Sequence, residues 1–209
     1  MRLKFIKKHK KDSIRWLNRH LNDEFFQLAK KQGYRSRSSY KLLQINEKFN
    51  FLESRKNILD LGCAPGGWLQ VSKKLAPKDA KILGIDKLEM SPINGVSFYQ
   101  EDIFDENIYK FLKSFFKTKI DLLMSDMSPN STGNKKVDHL RIISLVDKVI
   151  DIADKFLEKD GIVVIKIFQG GAQGDLITKM KKSHDEDEHP FWNDDADYYN
   201  QIEDVKKSL

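Results

Sequence analysis

The chain has 209 residues, 40% apolar and 11% aromatic, which is enough to bury one sizeable core in a single domain. No apolar run reaches the length of a membrane span, and the first residues lack the apolar stretch of a signal peptide. We therefore expect a cytoplasmic protein with no membrane association, and a lone cysteine, Cys63, fits a reducing compartment.

Charge is distributed unevenly along the chain. Residues 183–209 hold 2 basic and 9 acidic side chains, whereas residues 1–182 hold 35 and 22. The positive charge of the larger part suggests a polyanionic partner, with nucleic acid as the first candidate, although a lysine-rich surface explains it equally well. Residues 1–182 are expected to form the functional domain, with basic helices over residues 1–50. The acidic tail, residues 183–209, is expected to be disordered or loosely structured.

Helices and strands alternate along the chain. Amphipathic patterns predict helices over residues 11–34, with a stop at Gly33, and over residues 36–52. Five short apolar runs then predict strands: "NILDLG", "AKILGIDKL", "VSFYQEDIF", "IDLLMSDMSP" and "GIVVIKIFQG". Helical segments separate most of them, and this alternation favours a mostly parallel α/β sheet with helices on both faces.

Ionisable residues lie at or near the ends of these predicted strands. Asp60, Asp86, Asp102 and Asp126 each fall at or just past a strand end, and Lys166 lies late in the fifth strand. Ligands of open parallel sheets bind outside the carboxyl ends of the strands. The five side chains are therefore expected to converge on one edge. Lys166 is conspicuous because a charged ammonium is rarely buried in an apolar strand without a partner.

The glycine turn "DLGCAPGGW" follows the first predicted strand. Its spacing differs from the dinucleotide fingerprint G-x-G-x-x-G, and no G-K-[ST] follows it, so it is not a phosphate loop. Asp86 stands 20 positions after Gly66, where a carboxylate can hold a ribose hydroxyl pair. The pattern indicates a nucleoside-containing cofactor without a pyrophosphate, with S-adenosylmethionine as the first candidate.

Six motifs together resemble the FtsJ/RrmJ family of ribosomal RNA 2′-O-ribose methyltransferases. They are "SRSSYKL", "LDLGCAPGGWLQ", "GIDKL", "QEDIF", "MSDMSPNSTG" and "VIKIFQGG", and the resemblance extends from about Ser13 to Lys182. It implies a Rossmann-like S-adenosylmethionine-dependent fold. It also implies methylation of a uridine 2′-hydroxyl in large-subunit ribosomal RNA, with this RNA or the large ribosomal subunit as the partner. We further expect no metal ion and a monomeric protein.

The resemblance implies a cofactor site made of Gly66, Trp68, Asp86, Asp102 and Asp126. In this interpretation Asp86 binds the ribose hydroxyls and Asp102 the adenine amino group. Alternatives remain for each type of residue. Gly66 can be a purely structural turn residue, a core role for Trp68 is as plausible as a cofactor contact, and the two carboxylates can be helix caps.

The family's catalytic tetrad is Lys-Asp-Lys-Glu, and three members map onto Lys41, Asp126 and Lys166. A ribose hydroxyl is a poor nucleophile, so methyl transfer gains from a base that accepts its proton. Burial and a nearby cation favour the neutral, basic form of a lysine, which suits Lys166 with Lys41 as the second cation. Without the resemblance, Lys41 would be interpreted as a solvated surface charge.

Basic and aromatic residues interleave around the first helices. Arg35 and Arg37 are the best candidates for RNA binding because arginine grips phosphates and the neighbouring aromatic rings can stack on bases. A merely solvated basic face is the alternative interpretation.

The C-terminal sequence departs from the family pattern. After Lys182 the chain has neither a recognisable fourth tetrad glutamate nor an apolar strand. The last antiparallel strand pair is therefore expected to be missing, which would make the fifth strand an edge. An alternative function remains open, namely a catalytically impaired member that binds cofactor or RNA in ribosome assembly. A small-molecule methyltransferase is disfavoured by the basic helices.

Overall fold

The structure is a computed structural model that describes residues 24–127 and 132–166. The described residues belong to two compact units, one containing residues 24–127 and 155–165 and the other residues 132–154 and 166. Three expectations lie outside the described residues: most of the first predicted helix, the acidic tail and the missing strand pair.

The first unit contains one five-stranded sheet, and every described strand pair is parallel. The strand order is β3-β2-β1-β4-β5. This confirms the predicted α/β architecture with a mostly parallel sheet. The strands are β1 (Asn57–Leu61), β2 (Lys81–Asp86), β3 (Ser97–Gln100), β4 (Ile120–Ser125) and β5 (Leu157–Ile165).

The central strands are continuous apolar runs in the sequence because both of their faces are buried. All six residues of β4 and the last four of β1 are buried, as expected when both faces of a sheet are covered. The chain runs outward from β1 to β2 and β3 and then crosses back to β4. Because parallel crossovers are right-handed, this reversal puts the helices after β1 and β3 on opposite faces.

The helices of the first unit are α1 (Glu24–Gln32), α2 (Ser38–Phe49), α3 (Gly67–Leu75) and α4 (Asn107–Phe115). Buried residues of α2 and α3, including Leu42, Trp68 and Leu69, share a core cluster with Ile58 and Leu122 of the sheet. Full burial of a leucine side chain contributes about 1.5–3 kcal/mol, so a few such contacts fix α2 and α3 to one face.

The fifth strand differs from the prediction at both ends. It begins at Leu157, four residues before "GIVVIKIFQG", and ends at Ile165, so Lys166 directly follows the strand and does not lie within it. Residues 162–165 are only half-buried. The physical reason is that β5 pairs with β4 alone among the described strands. It is therefore an edge of the sheet that the structure describes, and its apolar residues are incompletely covered by the described residues.

The second unit contains most of α5 (Lys135–Phe156). The turn before this helix is held by Thr132, whose hydroxyl donates to Asp138 Oδ1 at 2.6 Å, and by Asn134 Oδ1, which accepts the Lys136 N–H at 3.1 Å.

Within the described ranges, no helix is long and apolar enough to cross a membrane.

Candidate active site

Three carboxyl groups meet at the carboxyl end of the sheet. Asp60 lies in β1, Asp86 ends β2, and Asp126 directly follows β4. Asp60 is paired in register with Gly84 of β2 and Met124 of β4. The charges of Asp126 and Asp86 both act on Asp60, so the structure brings these three predicted strand-end residues together.

Asp60 is the most unusual of the three. Its side chain is 1% exposed, and neither carboxyl oxygen has a hydrogen-bond partner in the part of the chain that the structure describes. Burial raises the pKa of Asp60 well above its usual range, and repulsion by Asp126 and then Asp86 raises it further. A buried carboxyl without a partner avoids the cost of an uncompensated charge by binding a proton.

Asp86 is bound to the glycine turn. Its Oδ2 accepts the Ala64 N–H at 2.9 Å and its Oδ1 accepts the Leu88 N–H at 2.8 Å. The turn is also tied to β2, because the Gly62 N–H donates to the Ile85 carbonyl at 2.8 Å. Gly62 has a φ of 71°, and a Cβ atom at this position would collide with Met127. The positive φ and the close packing therefore both require glycine here.

Arg35 connects three parts of the candidate site. Its guanidinium donates to the backbone carbonyls of Pro65 at 3.2 Å, Ser91 at 2.6 Å and Pro92 at 2.8 Å. Its backbone N–H donates to Gln70 Oε1 of α3 at 2.7 Å. The predicted RNA-binding arginine thus uses its donors within the protein, bridging the glycine turn and the loop after β2. Arg37 is exposed.

Trp68 and Asp102 occupy different environments. Trp68 is 4% exposed, and its indole N–H donates to the Ser38 carbonyl at 2.9 Å, which joins α3 to α2. Asp102 is exposed beyond β3, where its Oδ1 accepts the Phe104 N–H at 3.0 Å. The structure therefore leaves Asp102 exposed to solvent, and it places Trp68 in the core.

The predicted catalytic residues come from three elements. Lys41 is exposed on α2, Asp126 is half-buried after β4, and Lys166 is half-buried directly after β5. Burial of Lys166 is therefore less complete than the sequence led us to expect, for the edge-strand reason given above.

Sequence reasoning missed two features of this site. It placed Asp60 at the correct edge without giving it a role, and it assigned Arg35 to RNA alone. The signal for Asp60 was available, because an acidic residue within the apolar run "NILDLG" is as anomalous as a lysine in "GIVVIKIFQG". The partners of Arg35 are backbone carbonyls, which leave no signal in the sequence.

Comparison with known proteins decides the family. A sequence profile described as FtsJ-like methyltransferase matches residues 34–188, well over half of the chain. The chain belongs to the FtsJ-like methyltransferase family. The motifs that carry the resemblance, including the glycine turn, lie within the matched region.

Relatives within this family are similar over most of their length. The chain is 42% identical over 182 residues to ribosomal RNA large subunit methyltransferase E of Acidiphilium cryptum, covering 87% of this chain and 80% of that protein. The protein of the same name from Rickettsia akari is 43% identical over 186 residues, with 87% and 82% covered. A solved ribosomal RNA methyltransferase from Plasmodium falciparum is 35% identical with a TM-score of 0.65, covering 71% of this chain and 86% of that one.

Membership of a methyltransferase family implies S-adenosylmethionine as the methyl donor. This cofactor carries a positively charged sulfonium and an ammonium group. The described residues fit a positively charged cofactor, because Asp60, Asp86 and Asp126 form an acidic set next to a glycine turn. Neither carboxyl oxygen of Asp60 accepts a hydrogen bond from the described residues. A cation would relieve the mutual repulsion of the three carboxyls.

Proposed function

We propose that this chain transfers a methyl group from S-adenosylmethionine to the ribose 2′-hydroxyl of a uridine in large-subunit ribosomal RNA. The observation that carries the proposal is the acidic set beside the glycine turn in an FtsJ-like methyltransferase chain. The names of its relatives support large-subunit ribosomal RNA as the substrate. We expect residues 1–182 to act as one methyltransferase domain, in the cytoplasm and as a monomer.

Four residues are proposed to contact the cofactor: Gly66, Asp86, Asp102 and Asp126. Asp86 would hold the ribose hydroxyls, since its attachment to the turn fixes its position, and Asp102 would accept from the adenine amino group. Trp68 was a candidate as well, but its burial and its bond to Ser38 support a different role, that of holding α2 against α3.

The proposed proton acceptor is Lys166. Lys166 and Asp126 are the residues that match the family's catalytic motifs, and this match supports their assignment to one reaction. S-adenosylmethionine, when bound, supplies an electrophilic methyl carbon. Lys166 would take the hydroxyl proton, Asp126 would orient the hydroxyl, and Lys41 is the third residue that the family's catalytic motif assigns to this step.

The RNA is proposed to contact the basic helix surface, which we define as the exposed Lys30, Lys31, Arg37 and Lys41 with the rings of Tyr34 and Tyr40. The two ring centroids are 5.8 Å apart in an edge-to-face arrangement. Lysine and arginine would bind phosphates there, and unpaired bases could stack on an aromatic ring. Arg37 is the stronger arginine candidate, because the donors of Arg35 already have partners within the protein.

Labelled S-adenosylmethionine and undermethylated large ribosomal subunits test this function directly. The wild-type chain should incorporate label into a single uridine 2′-oxygen. Lys166→Ala should lose at least about a hundredfold in rate, the usual contribution of a general base, while it still binds the cofactor. Lys78→Ala is the matched control, because Lys78 is an exposed lysine before β2, at the opposite end of that strand from Asp86.

The outcome separates the two candidate functions. Cofactor binding by the wild type with no label in any ribosomal substrate would contradict the enzymatic proposal. It would favour a family member that binds cofactor or RNA without turnover.

A further inference from the structure

The buried carboxyl of Asp60 has no role in the methyl transfer proposed above. It lies within the central strand β1, where it is 1% exposed and between two other buried strands, β2 and β4. Neither oxygen accepts a hydrogen bond from the residues that the structure describes. A polar group in this position ordinarily has a partner, so the missing partner calls for an explanation.

The neighbours of Asp60 explain its state in the cofactor-free protein. Asp86 approaches from the end of β2 and Asp126 from the end of β4, and the thiol of Cys63 lies in the adjoining turn. Burial raises the pKa of that thiol, so Cys63 contributes no charge of its own. Asp86 accepts two backbone hydrogen bonds, whereas Asp60 accepts none from the described residues. The buried, uncompensated carboxyl of Asp60 is therefore suited to carry a proton.

We propose that Asp60 is protonated in the cofactor-free enzyme and releases its proton when S-adenosylmethionine binds, which makes the site selective for the charged cofactor over its uncharged sulfide product. The inference rests on the proposed function, since it requires this cofactor. Asp60 is a positioning and specificity residue in this account, with no part in the transfer itself.

The physical basis is the change in local charge. A sulfonium bound beside three carboxyls favours the ionised form of Asp60, because opposite charge offsets the cost of desolvation. Methyl transfer converts the sulfonium into a neutral sulfide, and Asp60 then recovers a proton from solvent. Over one turnover this proton is released and regained, so the only net proton is the one from the ribose hydroxyl.

Linkage makes the proposal quantitative. If the sulfonium cofactor releases one more proton than the sulfide does, the ratio of their affinities rises about tenfold per unit of pH. Both ligands carry the same amino acid and nucleoside groups, so the comparison isolates the sulfonium charge. The ratio should stop rising above the pH at which Asp60 is ionised in both complexes.

Isothermal titration of the full chain in two buffers of different ionisation enthalpy tests the proposal, with S-adenosylmethionine and S-adenosylhomocysteine as the probes. At pH 7 the first should release close to one proton more than the second. In Asp60→Asn that difference should vanish, whereas Asp121→Asn should retain it. Asp121 is a matched control because it is another buried acid of the sheet, but it accepts the N–H groups of Lys56 and Asn57 at the opposite end.

A second measurement does not depend on the variant's folding. The infrared difference spectrum of the wild type on cofactor binding should lose a protonated-carboxyl band. Equal proton release by the two ligands, with no loss of that band, would overturn the inference even if RNA is methylated. Failure to bind S-adenosylmethionine at all would overturn the proposed function as well, so the two failures are distinguishable.

Discussion

The guanidinium of Arg35 donates to the Ser91 carbonyl at 2.6 Å and to the Pro65 carbonyl at 3.2 Å. One side chain thereby joins the glycine turn to the loop after β2, two segments that flank the candidate cofactor site. Hydrogen bonds from a charged donor contribute about 1.5–3 kcal/mol each when buried, and somewhat less where solvent reaches them, as it does here.

We expect Arg35→Ala to weaken S-adenosylmethionine binding about tenfold, because the turn and the loop lose their common donor. Isothermal titration measures this affinity, and filter binding measures the affinity for ribosomal RNA. Arg37→Ala is the paired variant, since Arg37 is exposed and should affect RNA affinity alone. If Arg35→Ala kept full cofactor affinity and lost RNA affinity, Arg35 would act as the sequence motif predicts, as an RNA contact.

Gly66→Ala should perturb the same contacts of Arg35 with the glycine turn. Gly66 has a φ of 101°, and a Cβ there would lie 2.7 Å from Met90 Sδ and 3.1 Å from Arg35 Nη1. Gly33 also has a positive φ, 75°, but nothing lies within 4 Å of its Cβ position. Gly33→Ala therefore measures backbone strain alone, about 1 kcal/mol in the free energy of unfolding.

Gly66→Ala should cost that strain and, in addition, reduce cofactor affinity, because Met90 and Arg35 must shift. Urea denaturation and isothermal titration on both variants separate these terms. Identical cofactor affinities in the two variants would show that the packing around Gly66 is irrelevant to the site.

The raised pKa of Asp60 predicts how stability depends on pH. The folded protein holds this proton above the pH at which the unfolded chain loses it, near an Asp pKa of about 3.9. Between these two pKa values the folded state binds more protons than the unfolded state, so the free energy of unfolding falls as pH rises above about 4, until the folded-state pKa is passed.

Asp60→Asn should flatten this fall, since an amide does not titrate. Urea denaturation of the cofactor-free protein between pH 5 and pH 8 gives the slope for each variant. Asp121→Asn serves as the control and should retain the slope. A slope that is unchanged in Asp60→Asn would mean that other groups cause the pH dependence.

Trp68→Phe tests whether the indole supports the fold or contacts the cofactor. Loss of the 2.9 Å bond to the Ser38 carbonyl should lower the free energy of unfolding by about 1 kcal/mol. Cofactor affinity should remain within about twofold of the wild type, because a phenyl ring keeps most of the core packing. A much larger fall in affinity than in stability would favour direct contact.

The local pattern of apolar and polar residues was sufficient to predict the α/β architecture. Apolar runs alternating with helical segments predicted the parallel sheet, since a strand covered on both faces must be apolar throughout. The strand-end rule placed Asp60, Asp86 and Asp126 at one edge for the same reason, namely that parallel strands carry their carboxyl ends to the same side. The predicted extent of β5 was wrong, because an apolar run does not mark the residues at which its strand begins and ends.

The sequence by itself thus determined the family, the sheet and the positions of the strand-end acids, all of which depend on residue types at fixed local spacing. Tertiary structure alone decided two matters. Arg35 finds carbonyl acceptors 30, 56 and 57 positions away, and every residue carries a carbonyl, so no side chain marks those partners. Among the described residues, Asp60 lies between β2 and β4 without a hydrogen-bond partner, and the protonation of a carboxyl is set by that environment and not by its own strand.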